Sequence, residues 1–162
     1  MKLTATMMLT VDGVYQGPGG PDEDRRGGFD RGGWTASHFD DETGKFVTSV
    51  FERADLADPT WQNTHVVDGD VEAAVRELKA KPGRELQVHG SGDLLRWLLE
   101  RDLVDELNLQ VYPVVVGAGL RLFPEQGQTH DLALIESRTT PSGVTLQTYR
   151  PAGRATFGNA DE

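Results

Sequence analysis

The chain contains no cysteine. That absence removes a disulfide scaffold, a thiolate nucleophile and a thiolate metal site together, and it fits a reducing cytoplasm. Long apolar runs are missing as well, and nothing approaches the roughly 20 residues that cross a bilayer. Met1 to Thr6 build no apolar signal core, so a cytoplasmic location is expected. Basic residues are scarce: 16 Lys and Arg stand against 26 Asp and Glu, a formal net charge of −10. A surface that acidic repels phosphate backbones and anionic lipid, which argues against a nucleic-acid or membrane-surface role. The four histidines are scattered with no H-x-x-x-H pair, which gives a zinc site no support.

What remains is 162 residues, 37% hydrophobic and 26% charged. That is enough to bury one proper core. We expect one domain over 1–151 and a polar, frayed tail over 152–162.

Residues 3–16 begin as a strand. Leu3, Ala5, Met7, Leu9 and Val11 alternate with Thr4, Thr6, Met8 and Thr10, and Asp12-Gly13 breaks the run. From Gly17 to Gly33 the chain is rich in glycine and charge, which reads either as a surface loop or as an ordered flap. Phe29 and Trp34 favour the flap, because flexible linkers rarely carry large aromatics. Asp40, Asp41 and Glu42 suit the first turn of a helix running to about Ala54, with Phe46, Val47, Val50 and Phe51 on its inner stripe. A short strand is expected over Trp61 to Val67. Asp70 is an N-cap candidate for a helix ending at Lys81-Pro82-Gly83.

Glu85 to His89 reads as a strand, Asp93 to Arg101 as a strong helix, and Asp105 to Val116 as the longest strand. The unbroken Val114-Val115-Val116 implies burial on both faces. Leu132 to Arg138 and Val144 to Arg150 pair as a hairpin through Thr139 to Gly143. The order is α/β with an antiparallel C-terminal hairpin.

Three segments carry chemical signals. Gly90-Ser91-Gly92, between a strand and a helix, lets backbone N–H groups and the helix dipole face an anion; a tight strand-to-helix turn is the other reading. Asp12-Gly13 stands where a strand-end carboxylate lines a cleft, or simply makes a turn. Gly117-Ala118-Gly119 is a backbone-approach site or a strand exit. Ser91 has no triad partners and does not match G-x-S-x-G, so hydrolase chemistry is set aside.

Taken in order, these pieces resemble the dihydrofolate reductase-like superfamily. The bacterial branch similar to the reductase domain of the bifunctional riboflavin-biosynthesis protein fits best. The carrying segments are Leu9 to Val14, Gly17 to Asp24 with Gly28-Phe29 and Gly32-Gly33-Trp34, then Val88-His89-Gly90-Ser91. Leu103 to Leu107, Pro113 to Gly119, Leu122-Phe123, Thr139 to Val144 and Thr148-Tyr149 complete the set. The resemblance covers 2–151.

It implies a three-layer α/β fold with a mixed, mostly parallel central sheet, and an NADPH-dependent reductase acting on a small unsaturated heterocycle of pterin or pyrimidine type. By the same resemblance, Asp12, Gly13, Tyr15 and Gln16 border the nicotinamide. Gly90, Ser91, Gly92, Asp93 and Leu94 hold the pyrophosphate, Trp34 lies in the substrate cleft, and Asp40 is the acidic substrate anchor and candidate catalytic group. A homodimer is expected to use the strand Leu107 to Val116 and the C-terminal hairpin.

One departure stands out. A few dozen family residues, including a Gly-Arg-Arg/Lys-Thr-Tyr turn, are absent between Asp55 and Leu56. Either the fold is genuinely shortened or the sequence lacks a segment. The expected consequence is either a spatial gap between Asp55 and Leu56 or a narrowed sheet with an exposed groove beside Glu85 to His89. The departure keeps open a second reading, a ligand-binding or dimerisation module that retains the fold without a complete cofactor site.

Overall fold

The computed structural model describes residues 1–53 and 66–159. Its elements are β1 (Lys2–Thr10), a 3-10 turn (Arg26–Gly28), α1 (Asp41–Phe51), α2 (Val71–Ala80), β2 (Glu85–His89), α3 (Gly92–Glu100), β3 (Glu106–Tyr112), β4 (Leu132–Thr139) and β5 (Thr145–Pro151). The five strands form one mixed sheet in the order β2-β1-β3-β5-β4. β1 pairs in parallel with β2 and β3, whereas β5 pairs antiparallel with β3 and β4.

The register explains the two faces. Leu3, Ala5, Met7 and Leu9 lie beside Leu107, Leu109 and Val111, so period-two alternation gathers the apolar residues on one side. α3 covers that side with Leu95, Leu98 and Leu99, all buried, and Val75 of α2 packs against the same cluster. Burial of each such leucine contributes about 2 kcal/mol. The opposite face holds Thr4, Thr6, Glu106, Asn108 and Gln110 and faces α1. The Gln87 carboxamide on this face donates to Val50 O near the end of α1. A second apolar cluster closes the far side of this face, where Phe29, Trp34 and Val116 pack on Tyr112 and Leu146.

Helix starts follow local chemistry. The Asp40 carboxylate accepts from Thr43 N at 2.8 Å, and the Asp70 carboxylate accepts from Ala73 N at 3.0 Å. Each satisfies a backbone donor that the helix itself leaves open. Both helices therefore begin where the charge pattern placed them.

Several expectations change. The ladder of β3 ends at Tyr112, and Val115 is 69% exposed, so the valine run is not a doubly buried strand. Pro113, which has no N–H to offer, follows the strand directly. β3 is an inner strand with neighbours on both sides, so it presents no edge for a dimer. Val66 and Val67 belong to no strand; the rest of the expected strand at Trp61, and the junction Asp55–Leu56, lie outside the described residues. Among the described residues β2 is a sheet edge. The tail is tied down at its start, where Ala152 N donates to Asp131 O and Arg154 reaches Asp102 and Glu100 O.

Candidate functional site

A cavity of about 810 Å³ opens on the polar face of the sheet beside the C-terminal end of β2. Thr6, Met8 and Gln110 form its floor, and Val47, Val50 and Phe51 of α1 form one wall. Tyr15, Gly17, Pro18 and Glu23 to Arg26 make the loop wall, and His89 to Asp93 close the end.

That end is the strand-to-helix turn. Gly90 has φ +73°, and apart from its chain neighbours no atom of the described residues lies within 4 Å of where a Cβ would stand. Gly90 itself lines the cavity. Ser91 is also left-handed and caps α3, its hydroxyl accepting from Leu94 N at 3.4 Å. Gly92 meets a different constraint: a Cβ there would overlap the Tyr15 ring. The sequence Gly-Ser-Gly thus serves two ends, an open backbone toward the cavity and close packing against Tyr15. The N–H groups at the start of α3 and the helix dipole favour an anion at this point. Beside the turn, His89 stacks on Phe51 with centroids 4.1 Å apart and planes 7° from parallel, and burial pushes its pKa down.

The loop wall is ordered by one buried side chain. Gln16 donates to Asp24 O, Asp24 Oδ1 and Arg26 O, and its Oε1 accepts from Leu120 N at 3.1 Å. Arg26 pairs with Asp24 at 2.6 Å and holds that carboxyl well below the usual range. Arg25 pairs with Asp22. Buried Trp34 donates through Nε1 to Gln16 O at 2.9 Å and meets Tyr112 edge-on at 5.4 Å. The aromatic anchors expected for a flap are therefore buried contacts.

Of the residues singled out in the sequence, Tyr15, Gly90, Ser91, Gly92 and Asp93 come together on the cavity wall. Asp12, Gly13, Gln16, Trp34, Asp40 and Leu94 do not line it. The Asp12 carboxylate is spent elsewhere. It accepts from Thr10 Oγ1 at 2.6 Å, Val116 N at 3.1 Å and Gly117 N at 2.8 Å. Desolvation pushes its pKa up, but these hydrogen bonds outweigh it and bring the value down to about 2.

Asp40 divides its carboxylate between Thr43 and Ser142 N, and those bonds, led by Thr43 N, hold its pKa low. A carboxylate so engaged is a poor proton donor near neutrality. Gln16 and Trp34 shape the loop from behind.

The sequence reading missed the floor. Gln110 is fully buried, yet among the described residues neither end of its carboxamide has a partner, and Thr6 Oγ1 is also unpartnered there. The signal was present in the polar half of the alternation: Glu106, Asn108 and Gln110 share a face. Glu106 at the far end is different. Desolvation raises its pKa, but hydrogen bonds from Lys2 and Arg53 prevail and lower it.

Comparison with known proteins follows the same lines. The RibD C-terminal domain model matches residues 34–146. The uncharacterized protein YyaP of Bacillus subtilis (strain 168) is 32% identical over 83 residues, 51% of this chain and 44% of YyaP, so the match spans less than half of that relative. Acinetobacter baumannii RibD superposes with a TM-score of 0.59 at 11% identity, over 93% of this chain and 58% of that chain. A pyrimidine reductase-like protein from Corynebacterium diphtheriae gives a TM-score of 0.56 at 14% identity, over 93% and 91% of the two chains. These likenesses establish the dihydrofolate reductase-like α/β fold that the sequence resemblance implied. With a family model matching well over half of its length, the chain belongs to the RibD C-terminal domain family.

Proposed function

We propose that the chain is an NADPH-dependent reductase acting on a small heterocycle of pterin or pyrimidine type. One observation carries this reading: a single cavity joins a helix-start anion site to a polar sheet floor with unmet hydrogen-bonding groups. The residues fit the cofactor. The N–H groups that begin α3 would hold the pyrophosphate, and Gly90, whose own N–H donates to Thr6 O, would let it approach with no Cβ in the way. Arg25 and Arg26 on the loop wall add positive charge, and Tyr15 lies against Gly92 between turn and loop. When bound, the nicotinamide supplies the hydride.

The chain supplies position and dryness. Gln16 and Trp34 fix the loop wall, Val47 and Val50 keep one side apolar, and the sheet floor presents fixed polar groups to the substrate. A cytoplasmic location belongs to the same proposal. So does a homodimer through the C-terminal hairpin, whose Leu134 and Ile135 are exposed on the edge strand β4.

A second reading, a ligand-binding module without turnover, has one observation in its favour. Both cavity arginines are already ion-paired, to Asp22 and Asp24, which weakens their grip on a cofactor phosphate. The test is NADPH oxidation, followed by its absorbance, with a panel of pyrimidine and pterin substrates. Substrate-dependent oxidation supports the reductase; saturable ligand binding with no oxidation across the panel supports the module.

A further inference from the structure

Gln110 has no exposed surface and lies on the cavity floor with both Oε1 and Nε2 unpartnered among the described residues. An unsatisfied buried carboxamide is expensive, and native proteins keep such groups chiefly where something else completes them. Thr6 Oγ1 is unpartnered on the same floor and only 8% of the residue is exposed. Register places Thr6 opposite Asn108 and Met8 opposite Gln110, so the two open side chains are diagonal neighbours on one face of the β1–β3 pair.

Their surroundings sharpen the contrast. Buried Gln16 uses both ends of its carboxamide, and Glu106 is held by Lys2 and Arg53. Asn108 Nδ2 and Tyr112 OH are also unpartnered, but neither residue lines the cavity.

We infer that Gln110, assisted by Thr6, is a specificity-determining pair that reads the amide edge of a planar ring substrate: a ring N–H beside a ring C=O. A glutamine carboxamide presents an acceptor and a donor in one plane, which is the complement of that edge. Buried hydrogen-bonding groups reject analogues that leave them unpaired far more strongly than an apolar pocket does. Val47 and Val50 of α1 line the same cavity and offer an apolar surface for the ring.

The amide of a nicotinamide carries the same donor–acceptor chemistry. Position favours the substrate for Gln110: β3 lies two strands from β2, about 10 Å across the sheet from the anion-binding turn at 4.8 Å per strand, whereas Thr6 on β1 pairs with His89 beside that turn. The assignment rests on the reductase reading of this cavity.

The test uses the full chain, uracil as the probe with an intact amide edge, N,N′-dimethyluracil as the probe with that edge blocked, and NADPH as a separate titrant. Ligand-detected NMR reads the two pyrimidines. We expect uracil to bind at least about tenfold more tightly than its dimethyl analogue, as loss of a paired donor–acceptor edge requires. Gln110→Leu is expected to weaken uracil by about tenfold or more and to leave NADPH within about twofold.

Equal affinity for the two pyrimidines, no uracil binding, or uracil binding unchanged in Gln110→Leu overturns the assignment. A loss confined to NADPH also overturns it and moves Gln110 to the cofactor. If Gln110→Leu does not fold, Thr6→Val carries the test: weaker uracil binding supports the pair, and unchanged binding overturns it. Edge-selective uracil binding in a chain that never binds NADPH would leave the pair standing and remove the reductase reading.

Discussion

Replacing Asp12 by Asn removes a charge that the structure uses as a clasp. Its carboxylate joins the end of β1 to Val116 and Gly117, more than one hundred positions away, and Arg121 Nε donates to Asp12 O at 2.8 Å. The asparagine oxygen can keep the Thr10 and Val116 donors. Its amide nitrogen then meets Gly117 N–H, donor against donor. The native pKa of about 2 against an ordinary 3.8 is worth about 2.5 kcal/mol at about 1.4 kcal/mol per unit. With 18% of the side chain still facing water, about 1–2 kcal/mol is the fairer figure.

The pH dependence has a definite sign. The folded-state pKa is depressed, so this stability is complete above the unfolded value and is lost as pH falls toward 2. About half should be gone near pH 3. Urea denaturation of both proteins near pH 7 and near pH 3 measures it. We expect Asp12→Asn to cost about 1–2 kcal/mol at neutrality and roughly half of that near pH 3. A difference below about 0.5 kcal/mol at neutrality, or one that stays constant between the two conditions, would refute the clasp. A large loss of NADPH affinity in a stably folded variant would return Asp12 to the cofactor site.

Three further outcomes are expected. Gly92→Ala should push the Tyr15 ring off the cavity wall, costing about 1–3 kcal/mol in a thermal melt and weakening NADPH binding in proportion. Trp34→Phe keeps the packing on Tyr112 but loses the buried bond to Gln16 O, for about 1–2 kcal/mol in urea. Asp40→Asn should speed amide exchange at Thr43 and Ser142 while leaving the pH profile of turnover in place; a profile that loses its alkaline limb would make Asp40 the proton donor after all.

Much of the fold was legible because it is written locally. Alternation in Leu3 to Thr10 separates the two faces of β1, Asp40 and Asp70 mark helix starts, and Gly90 to Gly92 mark the turn into α3. The site was legible only where a local motif makes it. Asp12 and Asp40 looked chemical as isolated carboxylates, and only the tertiary fold brings them Gly117 and Ser142 as partners. Gln110 failed for the opposite reason. A glutamine between two apolar residues reads as the solvent side of a strand, and only the tertiary fold buries it. The valine run misled because continuous hydrophobicity does not say where a ladder stops; Pro113 does.

The reductase reading requires the Gly90 turn to be the anion-binding end of a dinucleotide site. Calorimetric titration of NADPH into the wild-type chain and into Gly90→Val tests it directly. Valine at φ +73° costs about 1–2 kcal/mol of strain, so a thermal melt accompanies the titration to show that the variant is folded. Apart from the chain neighbours, the Cβ meets no atom of the described residues within 4 Å, so bound ligand is what the added side chain would obstruct. We expect one NADPH per chain in the wild type and at least about a tenfold loss in the folded variant. No binding to the wild type, or equal affinity in the two proteins, would contradict the account.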